Sequence, residues 1–349
     1  MKLFLIGAGF NVDAAEEVGA VYGNSYYIGR YRMECGYPLV ADVAKLCFEL
    51  DEAPTNKSIE ELFRDALERK DYGPLNKLSN RLMEADYRLA TRLGSPEQTN
   101  RYKDFFETFA GSNFITFNYD SLPEIFLHQS KCWYPHDGFG VPVEFDRIPQ
   151  LLVKQAGPVE PSLGPADTYS QNSTSLVLHL HGSFCVYSAH GTRYRFDPDS
   201  ISNCFLPYRR FLSTERVPIE KRVIAPIPDK AEQLKQPFIS ETYSRACSLV
   251  RESGALVAIG YSFNSHDNAS YGPILAALSE SRDRKLSVVS PEASKLAEQI
   301  EGARIVLSKS SRSTKPSRLG RKIRSAISLI RLGDKRCLFS NRTSLTGPP

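Results

Sequence analysis

The chain has 349 residues, 41% of them hydrophobic and 24% charged, with a formal net charge of +4. A chain of this size can bury a large core without disulfides, and its apolar runs are too short for a signal peptide or for the about 18 residues of a membrane span. Its seven cysteines form no Cys-x-x-Cys pair, which argues against a structural zinc site built from thiolate pairs. We therefore expect a cytoplasmic protein without a bound metal.

Short apolar runs that end in polar or glycine turns predict strands along the chain. Most of these runs are apolar throughout, which is typical of parallel strands covered on both faces. Segments with helical character lie between them, so the sequence predicts an α/β fold with a doubly wound, mostly parallel Rossmann-like sheet. The predicted strands are Leu3–Ile6, Phe114–Phe117, Leu176–Leu180, Arg222–Ala225, Leu256–Ile259, Leu286–Val289 and Arg304–Leu307, and the predicted helices are Val40–Leu50, Ser58–Ala66, Pro74–Leu93, Asn100–Ala110, Ser240–Glu252 and Glu292–Glu301.

These elements predict one domain, 1–307, followed by a tail, 308–349. Within the domain, residues 40–111 predict a helical insertion, and residues 131–175, rich in Pro, Gly and aromatic side chains, predict an irregular excursion. The tail has eleven Lys or Arg residues and one acid, Asp334, so it contributes +10 and leaves −6 for the rest. Its composition favours disorder around one short basic helix, Leu319–Leu332. Its charge suits nucleic acid or an acidic partner, but no aromatic stacking pattern accompanies the charge, and a solvated tail is the alternative.

A glycine-rich turn, Gly7-Ala8-Gly9-Phe10-Asn11, follows the first predicted strand directly. Glycines at this place allow a tight turn and let the backbone approach a pyrophosphate at a helix N-terminus. The third glycine of the usual dinucleotide fingerprint is absent, because Val12 stands at its position. An ordinary turn from strand to helix is therefore the alternative interpretation.

The second predicted strand ends abruptly in Asn118-Tyr119-Asp120. In an open α/β sheet the carboxyl ends of the strands line the ligand crevice, so Asn118 and Asp120 are candidates to contact a ligand. Asn and Asp are also frequent helix caps, which is the alternative for both residues.

The third predicted strand runs into His179-Leu180-His181-Gly182. His181 stands where the strand stops, and a histidine titrates near neutral pH, so it is a candidate general base. His179 shares a face with it on an ideal strand and is interpreted as a support residue. A pair of metal ligands would need a third ligand, which the sequence does not suggest, and a structural histidine remains the alternative for His181.

A fourth turn, Gly260-Tyr261-Ser262, follows a further apolar strand and precedes Asp267, and the next strand ends at Ser290. Such a turn can receive the adenosine end of a dinucleotide, with Ser262 or Asp267 bonding a ribose hydroxyl, although a simple turn with a capping serine is the alternative. All four motifs follow predicted strands at the end where the crevice is expected. This shared position is stronger evidence for one binding site than any motif alone.

Taken together, the motifs resemble the sirtuin-like family, in particular the branch without a zinc ribbon that is often found as bacterial NAD hydrolases in antiphage defence. That branch typically shows Gly-Ala-Gly-Phe-Ser, Thr-x-Asn-Tyr-Asp, Leu-His-Gly-Ser, and Gly-Tyr-Ser with a later Asp. The resemblance spans about residues 1–307, and Asn11 stands where the family has serine. The corresponding segments are Gly7–Asn11, Thr116–Asp120, Leu180–Ser183 and Gly260–Asp267.

The resemblance implies that the chain binds NAD as substrate and hydrolyses it to nicotinamide and ADP-ribose without a metal. It assigns Asn118 to orienting the ribose or the attacking water, His181 to the general base, and Asp120 to the neighbourhood of the nicotinamide amide. The residues implied to bind the cofactor are Gly7, Ala8, Gly9, Phe10, Asn11, Gly182, Gly260, Ser262, Asp267 and Ser290.

Two other functions stay open at this point. One is a non-catalytic sensor of NAD or ADP-ribose, and the other is an NAD-dependent protein deacylase, which the missing zinc thiolates disfavour. A homo-oligomer or a partner protein is also compatible with the sequence. The segment 22–32, with four tyrosines and two arginines, is either a lid over the nucleotide or an ordinary aromatic-rich loop.

Overall fold

A computed structural model describes most of the domain predicted from the sequence. The described residues are 2–17, 23, 25–28, 31–34, 36–38, 40–52, 56–93, 101–134, 137–141, 172–189, 192–195, 220–223, 226–227, 230–263, 267–281, 283–290 and 305–307. The predicted helix Glu292–Glu301, the tail 308–349 and most of the predicted excursion 131–175 lie outside them.

Strands and helices alternate along much of the described chain. In chain order the elements are β1 (Leu3–Ile6), α1 (Ala8–Glu17), β2 (Ser25–Ile28), β3 (Tyr31–Glu34), α2 (Val40–Phe48), α3 (Ile59–Glu68), α4 (Gly73–Leu93), α5 (Arg101–Thr108), β4 (Asn113–Thr116), α6 (Leu122–Gln129), β5 (Val177–His179), β6 (Gly182–Ala189), β7 (Thr192–Arg195), β8 (Glu220–Val223), α7 (Pro237–Glu252), β9 (Ala255–Ile259), α8 (Asn268–Ser279), β10 (Lys285–Val289) and β11 (Ile305–Leu307).

The central sheet has six strands in the order β11-β10-β9-β1-β4-β5, and every neighbouring pair is parallel. If the six strands are numbered in chain order and the sheet is read from its β5 edge, they lie in the order third, second, first, fourth, fifth, sixth. This is the doubly wound dinucleotide-binding order. The order reverses between β1 and β9, where Leu5 lies beside Ala258. The predicted Rossmann-like fold is thus confirmed, and its ligand crevice is expected at the carboxyl ends of β1 and β9.

Helices cover the sheet in two layers. Parallel crossovers are right-handed, so the connections that leave β1 and β9 in opposite directions place their helices on opposite faces. On the first face an aromatic core joins Phe4 of β1 to Phe105 of α5 and Phe106 to Phe126 of α6, with ring centroids 5.3 Å apart in both pairs. On the other face α7 and α8 pack against each other. The strands between these layers are almost wholly buried, which explains their continuous apolar sequence.

Helices α2, α3, α4 and α5 occupy the segment 40–111. Helix α3 begins with the capping box that the sequence indicates: Ser58 Oγ accepts the N–H of Glu61 at 3.2 Å, and Glu61 accepts the N–H of Ser58 at 2.8 Å. Helix α4 reaches the sheet through Asp86, which accepts the Tyr37 hydroxyl at 2.5 Å and the Ser121 N–H at 2.7 Å. The helical segment is therefore tied to the loop after β4.

Three features differ from the sequence expectation. The predicted strand Arg222–Ala225 is observed as β8, which pairs antiparallel with β6 in a separate sheet of order β7-β6-β8. The segment 22–32 contains most of a β-hairpin, in which β2 and β3 pair Tyr26 with Met33. Helix α8 follows the Gly260 turn where no helix was predicted. Within the described ranges, no helix is both long enough and apolar enough to cross a membrane.

Candidate functional site

The turn after β1 rests directly on the turn after β9. The Gly7 N–H donates to Ile259 O and the Gly9 N–H donates to Gly260 O, both at 3.0 Å. A Cβ on Gly7 would stand 2.5 Å from Gly260 O, so the contact requires a residue without a side chain. Gly260 has φ +64°, and its N–H reaches Val289 O at 3.1 Å, which places Ser290 at the same edge.

This contact forms the floor of the expected crevice and leaves the start of α1 exposed. Ala8 and Gly9 are exposed at the first turn of α1, as a phosphate-binding helix start requires. The two glycine N–H groups already have protein acceptors, so the helix start and not these two groups must provide most of the attraction for an anion. The side chain of Phe10 lies elsewhere: it is wholly buried against Tyr102 in the core.

Asn11, on the first turn of α1, is buried with only 2% of its surface exposed. Its Nδ2 and Oδ1 make no hydrogen bond of ordinary geometry to any described residue. It lies close enough to Asp120 to lower the pKa of that carboxyl. A buried amide without partners costs on the order of 1–3 kcal/mol and calls for an explanation such as a water or a ligand.

Asn118 follows β4 and presents a second such group. Its Nδ2 is buried without a hydrogen-bond partner among the described residues. Its backbone is held at both ends, because the N–H donates to Thr116 Oγ1 at 3.0 Å and the carbonyl accepts from His179 Nδ1 at 2.9 Å. The Asn118 backbone is therefore held in place, while the side-chain Nδ2 is left without a partner among the described residues.

Asp120 is a buried carboxyl with an unusual proton affinity. Burial raises its pKa to about 6 against the opposing effects of the Leu122 N–H, which it accepts at 3.2 Å, and of the His179 charge, while the Glu124 charge raises it further. Burial also raises the pKa of Asp86 well above its usual range, and the nearby Asp120 charge adds to this. The site edge therefore contains acids that hold protons near neutral pH.

We expect Asp120→Asn to be more stable than the wild type at pH 7. The native pKa of about 6 exceeds an unfolded value of about 3.9, so ionisation of Asp120 destabilises the fold as the pH rises from about 4 to 6. The gain should be on the order of 2 to 3 kcal/mol above pH 6 and vanish below pH 4. Urea unfolding across this range measures it. The exposed Asp283→Asn is the control, and an equal stability of Asp120→Asn and wild type at pH 7 would contradict the burial argument.

His181 lies across the same edge, between β5 and the antiparallel sheet. Its Nε2 is 2.9 Å from Ser270 Oγ on α8, and its ring centroid lies 4.9 Å from that of Phe117 and 6.2 Å from that of Tyr119. These two aromatic residues flank Asn118 in the chain, so the imidazole and the amide belong to one edge. Burial, followed by the charge of Lys230, lowers the pKa of His181 well below its usual range. The imidazole is therefore neutral near pH 7.

The two histidines do not share a face, contrary to the sequence expectation. Strand β5 ends at His179, and Gly182, with φ +76°, turns the chain into β6. His179 consequently contacts Glu124 on α6, whereas His181 contacts Ser270 on α8. Within the described residues, no group of three His, Cys, Asp or Glu side chains is arranged to hold a metal ion.

The remaining predicted residues lie at the same edge in different settings. Gly182 is buried and pairs with Val223. Ser262 is exposed after the Gly260 turn, and Asp267 precedes α8 and forms an ion pair with the buried Lys230. No local sequence pattern indicated Ser270 or Lys230, since both act on His181 from distant positions in the chain.

The buried phenols of Tyr261 and Tyr243 lie at this edge. Tyr261 stacks on Phe117 with a centroid distance of 4.8 Å, and the hydroxyls of Tyr261 and Tyr243 are buried with no hydrogen-bond partner of ordinary geometry among the described residues. The Tyr243 hydroxyl lies near Ser270, which lowers its pKa slightly against the larger effect of burial. The site thus combines a neutral imidazole, unpartnered polar groups and aromatic faces.

The chain was compared with known proteins. No protein-family model matches it, and no curated protein matches it. Among solved structures it is similar to a Sir2 homologue in complex with NAD, with 14% identity and a TM-score of 0.46 over 95% of this chain and 90% of the other. A mutant Sir2 homologue in complex with ADP-ribose shows 15% identity and a TM-score of 0.39 over 94% of both chains. At these values, ligands and chemistry are not transferred from those proteins to this chain.

Proposed function

We propose that the chain binds NAD across the carboxyl ends of β1, β4 and β9 and hydrolyses its bond between nicotinamide and ribose. The main observation is the pair of amides Asn11 and Asn118, in which both atoms of the Asn11 amide and the Nδ2 of Asn118 are buried without a hydrogen bond of ordinary geometry among the described residues, beside the place where the strand order reverses. Native proteins rarely bury such groups without a use. Ribose hydroxyls and a carboxamide are ligands that these amides can bond.

A dinucleotide also fits the elements around the amides. The exposed start of α1 provides a positive helix end for a pyrophosphate, and the Gly260 turn beside it leaves Ser262 exposed for the adenosine side. Stacked Phe117 and Tyr261 provide apolar walls next to His181. The four motifs that resemble the sirtuin-like family all lie along this edge, which supports NAD as the nucleotide.

The proposed reaction is hydrolysis at the anomeric carbon of the nicotinamide ribose. The positively charged nicotinamide leaves as a neutral molecule with the electron pair of the C–N bond, and water forms the new C–O bond. The water loses one proton, so NAD and water give ADP-ribose, nicotinamide and H⁺. His181 is neutral at pH 7 and can accept this proton, since the water becomes acidic as it bonds to the electron-poor carbon. Asn118 would hold the sugar or the water.

We place Asp120 beside the carboxamide group of the nicotinamide. Its carboxyl lies next to Asn11 and has a pKa of about 6, so it is able to accept a hydrogen bond from the carboxamide of nicotinamide when ionised. Its protonated fraction rises below pH 6, which would weaken this contact in acid.

A non-catalytic sensor is the second candidate, and one observation favours it. His181 has 4% of its surface exposed, and its Nε2 is already bonded to Ser270. In this arrangement the base nitrogen has a protein partner, as expected for a nucleotide-binding module without turnover.

Incubation of the purified full chain with NAD separates the two functions. Nicotinamide and ADP-ribose, identified by mass, support hydrolysis, and their loss in Asn118→Ala assigns the reaction to this site. ADP-ribose binding by calorimetry without nicotinamide release supports the sensor. Absence of both binding and release contradicts both functions. If hydrolysis is found, we further propose the antiphage role that the resemblance implies, tested by NAD levels in phage-challenged bacteria that express the chain or its His181→Ala variant.

We expect Lys230→Met to shift the acidic limb of the pH–rate profile to higher pH. The Lys230 charge contributes, after burial, to the low pKa of His181, so its removal raises the pKa of the proposed base. Activity requires the neutral base and would then be lost at a higher pH as the solution is acidified. The exposed Lys235→Met is the matched control. An unshifted limb in Lys230→Met would show that another group controls it.

A further inference from the structure

His179 is held between two acceptors on two different elements. Its Nε2 is hydrogen-bonded to Glu124 Oε1 on α6, and its Nδ1 lies 2.9 Å from the carbonyl oxygen of Asn118. The side chains of His179 and Glu124 are each 1% exposed, so water does not compete for these bonds. The histidine therefore connects a buried acid with the backbone of the candidate amide residue.

A carbonyl oxygen and an ionised carboxylate both accept hydrogen bonds, so with Glu124 ionised each ring nitrogen of His179 must carry an N–H. A neutral imidazole has only one N–H, so one of its lone pairs would point at either the carboxylate or the carbonyl. The doubly protonated ring satisfies both, and with ionised Glu124 it forms a buried ion pair. Burial by itself lowers the pKa of His179, but the charge and hydrogen bond of Glu124, the Asn118 carbonyl and the charge of Asp120 raise it above the usual value.

The charged groups around His179 come from α6 and from the loop before it. Glu124 is in direct contact, and Asp120 acts through its charge. Burial raises the pKa of Asp86 on α4, which also lies near enough to Asp120 and Glu124 for their charges to raise it further. The ring of Phe139 lies beside the imidazole with centroids 6.2 Å apart and adds no charge.

We propose that His179 is a positioning residue, whose doubly protonated ring, anchored on Glu124, holds the Asn118 carbonyl and thereby directs the Asn118 side chain toward the nucleotide. This inference rests on the proposed function, because it gives Asn118 its role there. Loss of the ring proton at high pH breaks one of the two bonds and releases Asn118. NAD cleavage should therefore decline on the alkaline side as His179 titrates.

Glu124→Gln provides the sharpest test. A glutamine can donate to Nε2 of a neutral histidine, so Nδ1–H continues to bond Asn118 without a ring charge. We expect the alkaline decline of kcat to disappear in this variant, with KM for NAD changed by no more than about twofold since the nucleotide contacts are intact. His179→Phe has no donor and should lower kcat by up to about 10²-fold at every pH. Exposed Glu107→Gln should keep the wild-type profile.

Nitrogen-15 NMR of the histidine rings measures the protonation state of His179 directly and does not require enzymatic turnover. We expect two protonated ring nitrogens on His179 at pH 7 in the wild type and one in Glu124→Gln. A singly protonated wild-type ring, or an alkaline decline that persists in Glu124→Gln, overturns the inference. If the ring is doubly protonated but the chain releases no nicotinamide, only the hydrolase function is contradicted. The positioning role is then tested by the Kd of His179→Phe for ADP-ribose, and a Kd equal to that of the wild type would overturn it.

Discussion

Replacement of His181 by alanine is expected to slow nicotinamide release by about 10²- to 10⁴-fold, the usual contribution of a general base. The imidazole is neutral near pH 7 and lies among Phe117 and Tyr119, on either side of Asn118. The His181 imidazole therefore combines a neutral protonation state with a position at the carboxyl ends of the strands. The rate is measured at saturating NAD, so that kcat and not binding is compared.

Controls separate lost chemistry from a damaged site. His128→Ala removes a half-buried histidine on α6, where Nδ1 contacts Trp133 O at 3.2 Å, and should leave the rate unchanged. His181→Asn retains a polar side chain near Ser270 without a base, so it should be as slow as alanine while preserving the fold. Calorimetry should show ADP-ribose bound by both His181 variants within a few fold of wild type. Full-rate NAD cleavage by either variant would contradict the assignment of His181 as the base.

Much of the sheet and its ligand edge could be predicted because the responsible signals are local. β1 and β9 are continuous apolar runs, β4 and β10 are mainly apolar, and the glycines that follow β1 and β9 mark the turns that meet. The predicted positions of Asn118 and His181 follow from the strand ends alone. The fold class was accessible from the alternation of strands and helices.

Long-range pairings explain what the sequence did not reveal. Strand β8 reads Glu-Lys-Arg-Val, and its place beside β6 depends on partners about 35 residues away and not on its own composition. Ser270 reaches His181 across 89 positions, and Lys230 reaches Asp267 across 37. The separation of His179 from His181 arises because β5 ends at His179, so that His181 lies in the turn before β6 and the alternation of an ideal strand does not reach it.

Gly260→Ala is expected to weaken both folding and nucleotide binding. Gly260 has φ +64°, a conformation that costs a residue with a side chain about 1–2 kcal/mol. Its Cβ would stand 2.4 Å from Phe10 N and 2.8 Å from Gly9 C, which are backbone atoms and cannot rotate away. The turns after β1 and β9 must then separate, and we expect the free energy of unfolding to fall by about 2 to 5 kcal/mol.

Separation of the turns also predicts the loss of binding. The Gly9 N–H bond to Gly260 O fixes the start of α1, and the first turn of that helix also includes Asn11, whose amide makes no hydrogen bond of ordinary geometry among the described residues. A shift of the helix start would misplace this amide and the exposed Ala8 together, so the Kd for ADP-ribose should rise at least about 10-fold, or about 1.4 kcal/mol. Urea unfolding and calorimetry below the unfolding transition measure the two effects separately.

Gly254→Ala is the matched control, because a Cβ there meets nothing within 4 Å at the exposed start of β9. Its stability should remain within about 0.5 kcal/mol of wild type. A Gly260→Ala chain that is destabilised but still binds ADP-ribose as wild type does would remove the Gly260 turn from the nucleotide site. A Gly260→Ala chain that loses binding while Gly254→Ala retains it ties the nucleotide to the place where β1 and β9 meet, because the Gly260 turn contacts the start of α1 there.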